Sequence, residues 1–235
     1  MTKISVIIPT FNEEKYISEC LNSIINQTFN NYEIIIVDSY SQDNTVKIAR
    51  KYADKIIECD RKGPGFARNK GAKIAKGDIL VFLDADTIAN PDFLECYNDA
   101  FRKKSVVGAT GPVITTHPSC FVRFFLNVIY NQIVNLLNSF GISLFNGCNS
   151  AYRKKEFIKI GMFQEIDFIC EDSLLSRNII KLGKTLFVKK AIIHTSHRRY
   201  EREAGLKAFL YYSIATSYVG ITGRTFPYKY KSLNI

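Results

Sequence analysis

Two aspartates separated by one residue, Asp84 and Asp86, follow an apolar run from Ile79 to Leu83. At a strand end, side chains two residues apart can point the same way. These two could then give oxygen ligands to one hard divalent cation, leaving positions for water and phosphate oxygens. Such a cation neutralises a diphosphate leaving group. The same pair could instead cap the turn and the helix that starts near Pro91. A third carboxylate, Asp38, ends the run from Glu33 to Val37, and Glu171 and Asp172 stand side by side ahead of a helical stretch. Adjacent carboxylates at a helix start are also what the helix dipole favours.

The elements that must position these groups alternate. Strand-length apolar runs at Ile4 to Ile8, Glu33 to Val37, Lys55 to Glu58 and Ile79 to Leu83 are separated by stretches with helical spacing. The predicted helices run from Glu13 to Gln27 with Asn12 as N-cap, from Ser41 to Tyr52, from Pro64 to Lys76 with Gly77 as terminator, and from Pro91 to about Lys103. Alternation of this kind predicts an α/β fold with a mostly parallel sheet flanked by helices. Asp38, Asp84 and Asp86 then fall at the carboxyl ends of strands, where open α/β sheets bind ligands. Further on, Val106 to Thr115 reads as one strand, Leu186 to Ile193 as another ending at His194, and Ser173 to Leu182 as a helix.

Composition bounds the partners. The chain has 235 residues, 46% hydrophobic and 23% charged, which excludes disorder, collagen and coiled coil. Lys plus Arg number 32 against 22 Asp plus Glu, a net charge of +10. An anionic partner follows: nucleic acid, a phosphorylated small molecule or an acidic leaflet. From Arg198 onward seven basic residues face two acidic ones. Six widely spaced cysteines without a CxxC pair indicate neither structural zinc nor a disulfide framework. Phe124 to Tyr152 carries no charge over 29 residues, but its asparagines, Gln132 and two glycines argue against a spanning helix. An amphipathic helix at Phe121 to Phe140, lying on a membrane or on the sheet, fits better. Ala208 to Gly223, uncharged for 16 residues between basic flanks, reads as an interfacial anchor.

The segments VIIPTFNEE (6–14), IIIVDSYSQDNT (34–45), GPGFARNKGAKIAKGDILVFLDADT (63–87), GCNSAYRKKEFIKIGMF (147–163) and ED (171–172) occur in an order and at a spacing that resemble family 2 glycosyltransferases, over about residues 4 to 200. The resemblance implies a GT-A fold, a nucleotide-sugar donor and an inverting mechanism with a divalent metal, Mg2+ or Mn2+. It implies that Pro9, Thr10, Phe11 and Glu13 line the nucleoside pocket and that Asp38 accepts hydrogen bonds from base or ribose. A side chain that only accepts suits an imide N–H such as that of uracil, which favours UDP over GDP. Ser39 and Tyr40 depart from the second aspartate and the glycine common in the family. Arg68 and Asn69 would reach the donor's phosphates or sugar, since a planar guanidinium matches phosphate oxygens. Asp84, Ala85 and Asp86 become the DxD, with the metal held by Asp84, Asp86 and His194, His197 being the reserve. Asp172 would be the base that takes the acceptor hydroxyl's proton, with Glu171 beside it in support. Gly147, Cys148 and Asn149 would floor the site, with Asn149 bonded to the sugar.

The expected organisation is a catalytic domain over residues 1–200, with a nucleotide-sugar half (1–115) and an acceptor half (116–200), followed by a basic appendage (201–235). The opening MTKISVIIPT leads straight into a strand, without the apolar core of a signal peptide. A cytoplasmic enzyme is expected, peripheral on the inner face of a membrane. Its partners would be a nucleotide-diphosphate sugar and a glycan or lipid-linked acceptor; the nearest variant is a polyprenyl-phosphate hexosyltransferase. No nucleic acid is expected, because no helix-turn-helix, zinc finger or aromatic RNA-binding motif is present and DxD with ED would repel phosphates. A nucleotidyltransferase is disfavoured because PTFNEE stands where its Gly-rich, basic loop would be.

Overall fold

Runs of aliphatic residues become strands whose two faces are both covered. The computed structural model describes residues 3–60, 63–116, 119–164, 171–196, 198, 215–216, 218–219 and 222–223. Its strands are β1 (Ile4–Thr10), β2 (Tyr32–Asp38), β3 (Lys55–Glu58), β4 (Ile79–Leu83), β5 (Thr87–Ala89), β6 (Val106–Thr110), β7 (Val113–Thr115), β8 (Asn149–Arg153), β9 (Lys184–Phe187) and β10 (Ile193–Thr195). Seven form a central sheet in the order β3-β2-β1-β4-β8-β6-β9. All neighbours run parallel except β8, which is antiparallel to both β4 and β6. That reversal brings the start of β8 to the edge where β1, β2 and β4 end.

The period of two along each strand divides the core. Val6, Ile8, Ile34, Ile36, Val81 and Leu83 pack on one side, with α1 (Ile17–Ile25) and α4 (Phe93–Ala100). Ile7, Ile35, Val37, Leu80 and Phe82 pack on the other, with α3 (Pro64–Ile74) and the later helices α6 (Lys154–Lys159) and α7 (Glu171–Ile179). Continuous burial on both faces is what near-unbroken Val/Ile/Leu runs predict. On the second side Phe82 meets Tyr152, Phe157 and Phe163 at centroid distances of 5.2–6.0 Å.

Several helix ends differ from the sequence reading. Asn12 is no N-cap: it adopts φ 53° and its side chain accepts from the Gln42 N–H, so α1 begins only at Ile17. Asn is among the few residues that tolerate this left-handed geometry. The helix expected over Ser41 to Tyr52 contracts to α2 (Thr45–Ala49), because Ser41 and Asp43 tie the preceding loop to Asp38 and Glu14. α3 ends at Ile74 rather than at Gly77. Gly77 serves a close approach instead, since a Cβ there would lie 2.6 Å from the Ser5 nitrogen.

Two predicted strands each split between sheets. Val106 to Thr115 divides into β6 and β7, and Leu186 to Ile193 into β9 and β10; β7 and β10 join β5 in a smaller sheet of order β5-β10-β7. Both breaks occur where the segments cross. A Cβ on Gly111 would stand 2.1 Å from the Ala191 carbonyl oxygen, a distance no side chain permits. The long helix α5 (Cys120–Ser139) follows β7 and contains a π turn at Phe125–Tyr130. Near the C-terminus Ala215 and Val219 pack on Leu174 of α7. His197 and nearly all of the basic appendage lie outside the described residues.

Candidate active site

The carboxyl edge of β1, β2 and β4 gathers most of the candidate residues because register places them there. Thr10 and Asp38, the last residues of β1 and β2, are partners across the parallel ladder, and Asp84 directly follows β4. On the reversed β8, Asn149 pairs with Leu83, so Gly147 and Cys148 arrive at the same edge.

At the β1–β2 end, buried Asp38 accepts hydrogen bonds from the Thr10 hydroxyl (2.8 Å), the Ser41 hydroxyl (2.6 Å) and the Ser41 N–H (2.8 Å). Among the described residues three acceptor positions of about four are thus used, and one on Oδ2 remains. The carboxylate caps its own turn and keeps acceptor capacity. Tyr40, at the position where the resembled motif has glycine, takes φ 60° and stands exposed. Pro9 and Phe11 flank Thr10, each partly buried.

At the centre, Arg68 is buried between two acids. Its Nη2 lies 2.7 Å from Asp84 and its Nη1 3.2 Å from Glu171, while its buried Nε meets no hydrogen-bond partner among the described residues. Burial opposes the charge, but Asp84, Glu171 and Asp172 outweigh it and push the guanidinium's pKa upward. Gly147 leaves room beside it: a Cβ there would meet Arg68 Nη1 at 2.8 Å and press on its two ion pairs. The Gly147 N–H donates to Asp172 Oδ2 at 2.7 Å, and the Ser173 N–H, in the first turn of α7, donates to Oδ1.

A third group joins Glu13 and Asp86 through a residue that carries no expected role, Arg198. Arg198 donates to both oxygens of Glu13 (2.6 and 2.7 Å), places Nε 2.9 Å from Asp86 Oδ2 and lies over the Tyr16 ring at 4.8 Å. Ser196 also donates to Asp86. Burial first, then Asp86 and Asp84, raise the Glu13 pKa against the pull of Arg198. The only signal in the sequence was a basic cluster directly after an apolar strand.

Some expected contacts are absent. Asn149 cannot bond a sugar through its side chain: it is fully buried, accepts from the Tyr97 hydroxyl and donates to the carbonyls of Pro112 and Ala191. It pins the crossing of the two split strands. Asn69 likewise exchanges two hydrogen bonds with the backbone of Phe163, at 2.8 and 3.0 Å. Ala85 turns its methyl into the core. His194 is exposed on β10 opposite Ile88, and among the described residues no three His, Cys, Asp or Glu side chains converge to hold a metal. The set Asp84, Asp86 and His194 is therefore not assembled. At this edge Asp84 and Asp86, paired with Arg68 and Arg198, are hard oxygen donors of the kind a divalent cation takes.

The family model "Glycosyl transferase family 2" matches residues 5–161, well over half of the chain. Over 103 residues the chain is 41% identical to the poly(ribitol-phosphate) beta-N-acetylglucosaminyltransferase TarS of Staphylococcus aureus, covering 40% of this chain but only 18% of TarS. The solved TarS fragment in complex with UDP-GlcNAc superposes with a TM-score of 0.67 at 23% identity, covering 83% of this chain and 59% of the fragment. A dolichyl N-acetyl-alpha-D-glucosaminyl phosphate 3-beta-D-2,3-diacetamido-2,3-dideoxy-beta-D-glucuronosyltransferase of Methanococcus voltae is 28% identical over 92% of this chain and 73% of its own. The mannosyltransferase PcManGT of Pyrobaculum calidifontis, solved with GDP-Man and Mn2+, has a TM-score of 0.69 at 23% identity over 82% of this chain and 56% of its own. The fold is GT-A.

Proposed function

This chain belongs to glycosyl transferase family 2, and from that premise we propose that it transfers a hexose-type sugar, with inversion, from a nucleotide-diphosphate sugar to a glycan or lipid-linked acceptor. UDP is the favoured nucleotide, through the acceptor position left on Asp38. Relatives solved with UDP-GlcNAc and with GDP-Man support a nucleotide-sugar donor.

The observation that carries the reading is the division of labour between Glu171 and Asp172. Glu171 meets the Arg68 guanidinium, and the Asp172 oxygens accept from the N–H groups of Gly147 and Ser173, which fix that carboxylate at the same edge. In this reading Asp172 takes the proton of the acceptor hydroxyl as that oxygen bonds to the anomeric carbon. The bond from that carbon to the diphosphate breaks on the opposite face. Arg68, held by Asp84, brings positive charge toward the departing phosphates. Asp84 and Asp86 would hold Mg2+ or Mn2+, which when bound neutralises the diphosphate charge. Catalytic residues 1–200 with a basic appendage remain the proposed organisation.

The test is turnover of UDP- and GDP-sugars with Mn2+, for wild type and Asp172→Asn, alongside calorimetry with UDP. Loss of turnover by about 10²–10⁴-fold with UDP affinity unchanged supports the assignment. Near-normal turnover in Asp172→Asn removes it.

A further inference from the structure

The amphipathic helix α5 is inside out. Its polar side faces the protein: Asn127 exchanges two hydrogen bonds with the backbone of Thr115, at 2.9 and 3.1 Å, and Asn131 does the same with Val113, at 3.1 and 3.0 Å. β7 is an outer strand of the smaller sheet, so its outward backbone groups recur every second residue. Four residues of helix rise about 6 Å and two residues of strand about 6.6 Å, which lets two amides one turn apart serve that edge. Asn138 accepts from Thr185 further along. The helix is thus fastened through amides.

Its apolar side faces away. Phe121, Phe124, Val128, Ile133, Leu136 and Phe140 are exposed, Phe121 by 68% and Phe140 by 74%. Their spacing of three to five residues forms one stripe, and the wider π turn at Phe125–Tyr130 rotates the second half of the helix to keep the stripe continuous. A contiguous exposed patch of this kind marks an interaction surface. α5 is long and apolar enough to cross a bilayer by length and composition, but the amide contacts hold one side against β7 and leave a surface-lying orientation.

We infer that the outward stripe of α5 docks the protein on an anionic lipid surface. Charge selects this occupant. From Ala100 to Lys155, 56 residues contain no Asp or Glu, so no carboxylate lies on α5 or in the segments that lead into and out of it. Arg123 lies on α5 itself. An apolar face with basic and no acidic neighbours in sequence is the pattern of an interfacial helix.

Docking also places the acceptor side of the site. The Tyr130 hydroxyl of α5 donates to the Asn146 side chain at 2.9 Å, and the next residue, Gly147, holds Asp172. Resting on the proposed transferase function, the acceptor is therefore a lipid-linked molecule carried at that surface.

The experiment is co-sedimentation of the full chain with vesicles of phosphatidylcholine alone and with phosphatidylglycerol added, for wild type, for the triple variant Phe124→Gln, Leu136→Gln, Phe140→Gln, and for the exposed control Ile158→Gln. Circular dichroism and UDP calorimetry report folding and the donor site. Wild type and Ile158→Gln should pellet with phosphatidylglycerol vesicles and the triple variant should bind at least tenfold more weakly, with UDP binding unchanged. Equal vesicle binding by the triple variant, no binding by wild type, or a dimer of wild type in light scattering that the triple variant abolishes would each overturn docking. Vesicle binding with transfer to a soluble glycan but to no lipid-linked acceptor would uphold docking and overturn the lipid-linked acceptor, whereas vesicle binding without transfer to either acceptor would overturn the transferase reading.

Discussion

Arg198 holds both carboxylate oxygens of Glu13 across 185 residues of sequence, at 2.6 and 2.7 Å, while its Nε reaches Asp86. The guanidinium ties the loop after β1 to the DxD. Replacing it with alanine should cost about 1–2 kcal/mol, below the figure for a fully buried pair because the side chain keeps some solvent access. The pH dependence follows from Glu13, whose pKa is raised chiefly by burial and would rise further without its partner. The folded state then binds more protons than the unfolded state above the ordinary carboxylate range, so stability falls as pH rises through that window. Urea unfolding at pH 5 and pH 8 should show Arg198→Ala more deficient at pH 8.

Gly147→Ala inserts a methyl 2.8 Å from Arg68 Nη1. Either Arg68 leaves Asp84 and Glu171 or the Gly147 N–H leaves Asp172. Overpacking of this kind costs about 1–3 kcal/mol. Melting temperature should drop by about 2–4 °C per kcal/mol for a chain of this length, and turnover should fall more than UDP affinity. A variant with wild-type turnover would show that Asp172 does not depend on this contact.

Asn149→Ala should act on stability rather than on the sugar. It strips hydrogen bonds from the Tyr97 hydroxyl and from the carbonyls of Pro112 and Ala191, all in the interior. Unpaired buried groups cost about 1–3 kcal/mol each, so a loss of about 3 kcal/mol or more is expected in denaturant titration. Affinity for the donor sugar, measured below the melting transition, should change less than twofold. A selective loss of sugar affinity in a stable variant would return Asn149 to the ligand site.

Glu33, on β2, receives hydrogen bonds from the Ser5 hydroxyl and the Lys76 N–H and lies near Lys55 and Lys3. Burial works against its charge, but these partners prevail and lower its pKa. Its contribution is present above the ordinary carboxylate pKa and is lost as pH falls through the lowered folded value. Glu33→Gln should destabilise by about 1.5–3 kcal/mol at pH 7, and the gap between variant and wild type should close in unfolding curves taken toward pH 3.

Local chemistry was enough to place β1, β2 and β4 and the carboxylates at their ends. β-branched runs with both faces apolar have few alternatives, and a carboxylate directly after such a run must lie at the sheet edge. The ordered motifs carried the family and with it GT-A. Tertiary structure decided what those patterns leave open. A strand that passes from one sheet to another has the same period as a continuous one, so the breaks at Gly111 and Ala191 arise only where two distant segments touch. Asn69 and Asn149 read as ligand-facing because an amide looks the same whether it meets a sugar or a backbone carbonyl; packing consumed both. In α5 the asparagines looked like interruptions of an apolar surface, and the edge of β7 turned them into its inner side. Arg198 belonged to a basic cluster until the fold carried it to Glu13. Sequence determines what each residue can bond to, and only the folded chain brings the partners within reach.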